Sequence, residues 1–393
     1  MNFHGEQPNE RKSSLEYSQS AASQITAAAH HTRTTSREPA DHMKIALVAA
    51  NLEIIGGQGI QAQSLAEGLR GQGYEIEFIP INPAFPIRLQ WLRQYPYIRT
   101  LLNQMLYLPK LMEIRKADVV HIFSASYWSF LLAPMPAILA AQLFGKPIVL
   151  NYHSGEAEDH LSKWGALVHP WLLMVDEIVV PSGYLQETFR CFGYQARVIR
   201  NVVDTSRFQY RDRIPLRPRL LSTRNFERHY RVDVTIAAFS SLKTRFPEAT
   251  LKLAGYGSEE PRLRRLAAPH GDAIQFIGAV DPQKIPALYD EADIFVNSSM
   301  IDNQPVSVLE AFASGLPVVS TGTGDISAMT LDGKAGCLVP QEDPEAMADA
   351  VIALLENPDR AVRMARWARE EVEHYTWPRI YKQWDSVYMR ATA

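Results

Sequence analysis

The stretch Asp293–Ser320, DIFVNSSMIDNQPVSVLEAFASGLPVVS, decides the fold class. Asp293–Asn297 is an apolar run of strand length, and a polar loop carrying Asp302 follows it. Apolar residues at helical spacing then begin near Pro305 or Ser307 and stop at Gly315, and Pro317–Ser320 is a second apolar run. Pro suits the first helical turn, where its missing N–H has no partner to lose. Gly suits the position past the last turn, where the backbone turns left-handed. Strand, helix and strand in so short a span make a βαβ unit, whose strands lie parallel in one sheet.

The same alternation continues on both sides of this unit. Strands are predicted at Lys44–Ala50, Tyr74–Ile81, Asp118–Phe123, Pro147–His153, Glu177–Pro181 and Ala196–Val203. A second series is predicted at Arg219–Thr223, Thr250–Ala254, Ile274–Ile277, Asp293–Asn297, Pro317–Ser320 and Cys337–Val339. Intervening segments such as Gln61–Gly71 and Val306–Ser314 carry helical spacing. Two such series predict an α/β protein of two doubly wound, Rossmann-like domains facing each other across a cleft. Ligands are expected at the carboxyl ends of the strands. The expected limits are 43–205 for the first domain and 206–374 for the second, joined through Asp204–Pro218, which holds Arg207, Arg211, Arg213 and Arg217 and no strand pattern. Residues 375–393 contain an aromatic-rich helix, Trp377–Met389, expected to cross back onto the first domain.

Composition narrows the function classes. With 46% apolar and 21% charged residues the chain reads as soluble and globular. Forty basic against forty-three acidic side chains leave a net charge of −3, which supplies no general attraction to nucleic acid. Cys191 and Cys337 stand alone, without zinc spacing, which suits a reducing, cytoplasmic setting. Residues 1–42 are rich in Ser, Thr, Ala and His and are expected to be a disordered tail without a secretory h-region, Met43 being the expected start of the folded chain. Val119–Gly145 is nearly uncharged and long enough to span a bilayer, but its strand pattern at Val119–Phe123 and its Pro134 and Pro136 predict a buried strand and a buried helix instead.

The candidate chemistry gathers at predicted strand ends. The free N–H groups of Val306, Ser307 and Val308 at the helix start favour an anion in the crevice, with Asn303, Gln304 and Pro305 on the same edge. Glu310, one turn further in, can accept hydrogen bonds from two neighbouring hydroxyls, as on a ribose. Arg224 directly follows a strand, where a guanidinium can clamp a phosphate with two parallel hydrogen bonds. Gly56 and Gly57 lie in the loop before the Gln61–Gly71 helix; Gly57–Ala62 satisfies G-x-G-x-x-A, but about six residues separate it from the strand, which is wrong for a dinucleotide fingerprint. His153 ends a strand and is expected to face the crevice, and Gly257 and Gly278 stand at strand ends of the second series. There is no D-x-D pair and no cluster of metal-ligand spacing, so no metal ion is expected.

Asp302-x7-Glu310, followed by Ala-Phe-Ala-Ser-Gly-Leu-Pro-Val-Val-Ser-Thr, closely resembles the Glu-x7-Glu signature of the family 4 retaining glycosyltransferases, which have the GT-B fold. The resemblance covers about residues 43–390 and is strongest in the second half; Asp302 stands where most members have Glu, as in a branch with an Asp-Asn-x-Pro form. It implies catalytic roles for Asp302, Glu310, Arg224 and His153. It also implies a donor held at Gly56, Gly57, Gly257, Gly278 and Asn303–Ser307. Family members add a Lys about five residues after the Arg; here that position is His229, so the second positive charge is expected from Arg228 or Arg231. The implied activity is metal-independent, retaining hexosyl transfer from a UDP- or GDP-linked sugar, used as co-substrate without a further cofactor. The acceptor is a glycan, lipid-linked or small-molecule hydroxyl on the first-domain side. Two alternatives stand beside it. One is a nucleotide-sugar-binding protein without turnover, suggested by Asp302 and the absent Lys. The other is a GT-B-fold epimerase or phosphorylase, which would need a base or lysine motif that the sequence lacks.

Residues 80–116 carry Arg88, Arg93, Arg99, Lys110, Arg115 and Lys116 against Glu113 alone, with Trp91, Tyr95, Tyr97 and Tyr107 interleaved. Such a stretch can lie on an anionic membrane surface, at the inner face of the membrane; a basic acceptor site or a solvated face are the alternatives.

Overall fold

A computed structural model describes residues 43–51 and 57–393, the side chains of Arg93 and Pro96 excepted. The expectations for residues 1–42 and for Gly56 lie outside the described residues. The chain forms two six-stranded sheets, every neighbouring pair parallel. The first has the order β2-β1-β3-β4-β5-β6, from β1 (Lys44–Ala49), β2 (Glu75–Pro80), β3 (Val119–Ser124), β4 (Ile148–Tyr152), β5 (Glu177–Val180) and β6 (Ala196–Val198). The second has the order β12-β11-β10-β7-β8-β9, from β7 (Arg219–Ser222), β8 (Thr250–Ala254), β9 (Ile274–Gly278), β10 (Ile294–Asn297), β11 (Val318–Thr321) and β12 (Cys337–Val339). This is the expected α/β architecture of two Rossmann-like sheets.

Parallel strands covered on both faces must be apolar on both, because helices leave neither side to water. β10 shows it: Ile294 and Val296 join one core cluster with Leu251, Leu253 and Val319, while Phe295 joins the opposite cluster with Leu221, Val318 and Phe312. Each such side chain, wholly removed from water, stabilises the fold by about 1.5–3 kcal/mol. The uncharged Val119–Gly145 run resolves into β3 and two short helices, Trp128–Leu132 and Pro134–Leu143. No helix among the described residues is long and apolar enough to cross a membrane.

Two elements differ from the sequence expectation. The sixth strand stops at Val198 rather than Val203. Beyond Ile199, whose N–H still reaches Val180, β5 has ended, and Asn201 turns instead to Gln304. Helix α1 (Gly57–Arg70) starts four residues before the apolar period suggests. Glycines lower helix propensity, yet Gly59 and Gln61 are buried in that first turn, and tertiary packing carries the helix back over them.

The last helices bridge the two sheets. Pro358–Val372 packs on the helix that follows β10, and Trp377–Ala391 packs on β4 and α1. Gly68 permits the second contact: a Cβ there would stand 2.5 Å from the Trp377 ring. The Tyr74 hydroxyl donates to Asp385 at 2.6 Å, which ties the same helix to the start of β2.

Candidate active site

β7 and β10 are neighbours, yet the strands that follow them run to opposite sides of the sheet. Their carboxyl ends therefore leave a crevice, the usual ligand position in a doubly wound fold. A cavity of about 410 Å³ opens there, walled on its far side by the first sheet through Gly57, Gln58, His153 and Glu156.

Arg224 stands two residues beyond β7, on the cavity wall and 8% exposed. Its Nη2 donates to Asp302 Oδ2 at 2.5 Å, its Nη1 donates to Ser307 Oγ at 3.0 Å, and its guanidinium lies 4.2 Å from the Tyr230 ring centroid. Gly255 makes room for this loop, because a Cβ at 255 would come within 2.2 Å of Arg224 O. Asp302, also on the wall, passes close to two further glycines. Cβ atoms at Gly155 and Gly324 would come within 2.9 and 2.4 Å of Asp302 O, so this loop is fitted to backbone from both sheets.

The helix after β10, Val306–Ser314, begins at Pro305 without any side-chain cap and closes on Gly315 in the left-handed region (φ 74°). The Val308 N–H, expected to be free, is taken by the Pro305 carbonyl at 3.1 Å, which leaves the Val306 and Ser307 amides on the cavity wall without a side-chain cap. Glu310 also lines the cavity, and its Oε2 accepts a 2.8 Å hydrogen bond from the Tyr289 hydroxyl. Burial pushes its pKa up to about 7, against the opposing pull of that bond and of Arg207. The carboxyl thus sits between the cavity and the buried Tyr289.

His153 follows β4 on the opposite wall and stacks on Phe123 at 5.1 Å. Burial pushes its pKa down to about 4, so the imidazole is neutral at physiological pH, and its Nε2 has no hydrogen-bond partner.

Four of the residues expected to hold a donor stand off this cavity. Arg228 and Arg231 do not line this cavity but border a neighbouring pocket. Arg231, left-handed at φ 46°, is held at that neighbouring pocket by Asp233 and Glu342. Gly257 and Gly278 also lie off the cavity wall. Gly257 backs against Phe226 O, and Gly278, at φ 76°, presents its carbonyl to the Gly255 N–H. Gly57 reaches the cavity as the first residue of α1 rather than from a loop.

Asn303 and Gln304 are on the wall, but their side chains join the two sheets. Ser182 Oγ donates to Asn303 Oδ1, and Asn303 Nδ2 donates to His153 O at 3.4 Å. Gln304 Oε1 accepts from Asn201 N at 2.7 Å, while its Nε2 donates to Pro181 O at 2.8 Å and Asp325 Oδ2 at 3.0 Å. Sequence reasoning also missed Arg207, Thr223 and Tyr289. Arg207 comes from the connector and reaches the cavity wall. Tyr289, wholly buried, joins Thr223 Oγ1 and Glu310. Arg207 is one of four arginines in the connector, with nothing in the sequence to single it out, and a buried Tyr on a helix carries no signal of its own. Among the described residues no group of three or more His, Cys, Asp or Glu could hold a metal ion.

Comparison with known proteins agrees with this architecture. The family described as Glycosyltransferase Family 4 matches residues 55–207, and that described as glycosyl transferases group 1 matches 217–357. The chain is 32% identical over 297 residues to a glycogen synthase of Mycobacterium tuberculosis, covering 70% of this chain and 69% of that protein. It is 29% identical over 280 residues to a phosphatidyl-myo-inositol mannosyltransferase of Mycolicibacterium smegmatis, covering 69% and 70%. In structure it is similar to sucrose-phosphate synthase from Thermosynechococcus elongatus, with a TM-score of 0.73, 20% identity, and 88% and 98% of the two chains covered. It is also similar to Anabaena HepE in complex with UDP and glucose, with a TM-score of 0.70, 15% identity, and 89% and 100% covered. With a parallel sheet on each side of the crevice and a relative of this identity over more than two thirds of its length, the chain belongs to glycosyltransferase family 4, with the GT-B fold.

Proposed function

We propose that this protein transfers a hexosyl group, with retention of configuration and without a metal ion, from a UDP- or GDP-linked sugar to a hydroxyl acceptor. The observation that carries this reading is the convergence of the Arg224 guanidinium, the uncapped Val306–Ser314 N-terminus and the Glu310 carboxyl on one cavity. The first two would hold the diphosphate, Glu310 the ribose, and His153, from the far wall, the sugar. Asp302 would orient Arg224 through their ion pair. In the step itself the bond from sugar C1 to the phosphate oxygen breaks as the bond from C1 to the acceptor oxygen forms on the same face. The acceptor proton passes to the departing phosphate. Arg224 and the helix amides stabilise the charge that gathers on that phosphate.

Removing one preorganised donor of this kind costs about 3–4 kcal/mol of barrier, a hundred- to thousandfold in rate. Arg224→Ala and Glu310→Ala are each expected to lower UDP-sugar turnover at least about a hundredfold in a folded protein; near-normal rates in either would overturn the assignment. Nucleotide binding without turnover by the unaltered protein would favour the binding-protein alternative, which Asp302 and the absent second cation motivate.

A lipid-linked acceptor, met at the inner face of a membrane, is part of this proposal. Ile87 (83% exposed), Tyr97 (91%), Leu101 (62%) and Met105 (63%) present apolar surface to solvent in the basic 80–116 region. The phosphatidyl-myo-inositol mannosyltransferase relative acts, by its name, on a lipid. Each Lys or Arg near an anionic leaflet adds on the order of 1 kcal/mol. Sedimentation with phosphatidylserine vesicles is expected at low salt, weakening as salt rises; no sedimentation at any salt would exclude the contact.

A further inference from the structure

A column of rings runs through the first sheet from the C-terminal helix Trp377–Ala391 to the cavity. Side chains of His121 and Phe123 share one face of β3, two residues apart, and His153 follows β4 on the same side. His121 and Phe123 are nearly parallel (13°) with centroids 5.1 Å apart, and Phe123 and His153 follow at 5.1 Å and 25°. At the other end Trp384 lies 4.9 Å from His121, and the Tyr388 hydroxyl meets His121 Nδ1 at 2.8 Å. His121, Phe123, Trp384 and Tyr388 are all buried.

Two observations suggest that the column does more than fill space. A strand face in a parallel sheet ordinarily takes aliphatic residues, yet His121 is wholly buried and its Nε2 has no partner. Its ring is therefore oriented by one hydrogen bond, that to Tyr388, together with the stack. His153 is in the same position: its Nε2 is buried and unpartnered, so the Phe123 face sets the plane in which it meets the cavity. The same C-terminal segment also touches the other wall, because Pro358–Val372 packs on the helix bearing Glu310.

From this geometry we infer that Tyr388, His121 and Phe123 are positioning residues that set the ring orientation of His153, so that the helix Trp377–Ala391 orients the sugar-side wall of the cavity. The inference rests on reading His153 as a donor contact. Close packing transmits a ring rotation along such a column because neighbouring planes have no free volume to absorb it. A misplacement of about an ångström at a reacting centre can cost as much as a hundredfold in rate.

The test uses the full chain with UDP-glucose hydrolysis as the rate readout, UDP titration for affinity, and histidine ring NMR signals assigned with His121→Asn and His153→Gln variants. Tyr388→Phe keeps the ring and removes only the hydroxyl. It is expected to move the ring signals of both His121 and His153 and to lower kcat on the order of tenfold, with UDP affinity within about twofold of the unaltered protein. Phe123→Leu is expected to do the same more strongly. If Tyr388→Phe moves only the His121 signals and leaves those of His153 and kcat unchanged, the inference fails. If His153→Gln turns over UDP-glucose at the normal rate, the donor-contact reading fails, and the ring signals in Tyr388→Phe still decide whether the column orients His153.

Discussion

Donor affinity should rise with pH through neutrality, and the cause is a single carboxyl. Burial pushes Glu310 up to about 7, and it lines the cavity with Tyr289 donating to Oε2. Protonation turns one carboxyl oxygen into a donor, so an arrangement in which both oxygens accept from ribose hydroxyls draws on the ionised fraction. For a midpoint near 7 that fraction is about 9% at pH 6 and about 91% at pH 8, and apparent affinity falls in proportion to the competent fraction. UDP-glucose should therefore bind about tenfold more tightly at pH 8 than at pH 6, or about 1.4 kcal/mol. Isothermal titration measures this. UDP-glucose is the better probe because a terminal phosphate such as that of free UDP itself titrates near pH 6. Glu310→Gln should flatten the profile and weaken binding at pH 8 by about ten- to a hundredfold, as expected for a lost hydrogen bond to a charged group. Stability must move the opposite way. A carboxyl whose folded pKa exceeds its ordinary 4.5 takes up a proton on folding between pH 4.5 and about 7, so its contribution falls as pH rises through that window. A flat profile in the unaltered protein, or the same slope in Glu310→Gln, would refute the reasoning.

Two further outcomes follow from the contacts of the donor loop. Gln304→Glu keeps the shape of a side chain 4% exposed but sets a carboxylate against Pro181 O and Asp325, so urea denaturation should show a loss of about 3 kcal/mol or more; a change under about 0.5 kcal/mol would show that the tether between the sheets is dispensable. Asp302→Asn removes the anion that now holds Arg224, so UDP should bind more tightly while turnover falls; weaker UDP binding would mean that Asp302 orients Arg224 for the ligand more than it competes with it.

Much of the architecture was legible because its causes are local. Apolar runs such as Ile294–Asn297, bounded by Pro305 and Gly315, carry their own start and stop signals, and the strands fall within a residue or so of where the pattern puts them except at the sixth. Arg224 and His153 were legible as candidates because each follows a strand end, Glu310 by its place one turn into the helix and Asp302 through the resemblance, and all four line the cavity. The remainder depends on contacts the sequence does not encode locally. Arg228 and Arg231 were equivalent to their neighbours as charges, and only the acids at Asp233 and Glu342, the latter over a hundred residues away along the chain, turn Arg231 aside. The polarity of Asn303 and Gln304 marked them as ligand groups, yet a buried polar side chain between two sheets is also where hydrogen bonds join them.

The cavity wall carries Arg207 and Arg224 against Glu156, Asp302 and Glu310. Asp302 is paired with Arg224, and Arg207 acts on Glu310 when that carboxyl is ionised. Further positive potential comes from the uncapped amides at Val306 and Ser307, which have no counter-anion in the helix's first turn. On the proposed reading a diphosphate would meet these amides and would engage Arg224 by sharing it with Asp302. The shorter Asp at 302, where resemblance leads one to expect Glu, holds the guanidinium at 2.5 Å while Ser307 fixes its other nitrogen at 3.0 Å. Two anchors on one guanidinium leave it little rotational freedom, so ligand binding spends little entropy in ordering it. On the proposed reading, preorganisation of Arg224 is what this site would offer a departing phosphate, and the missing Lys at position 229 need not silence it.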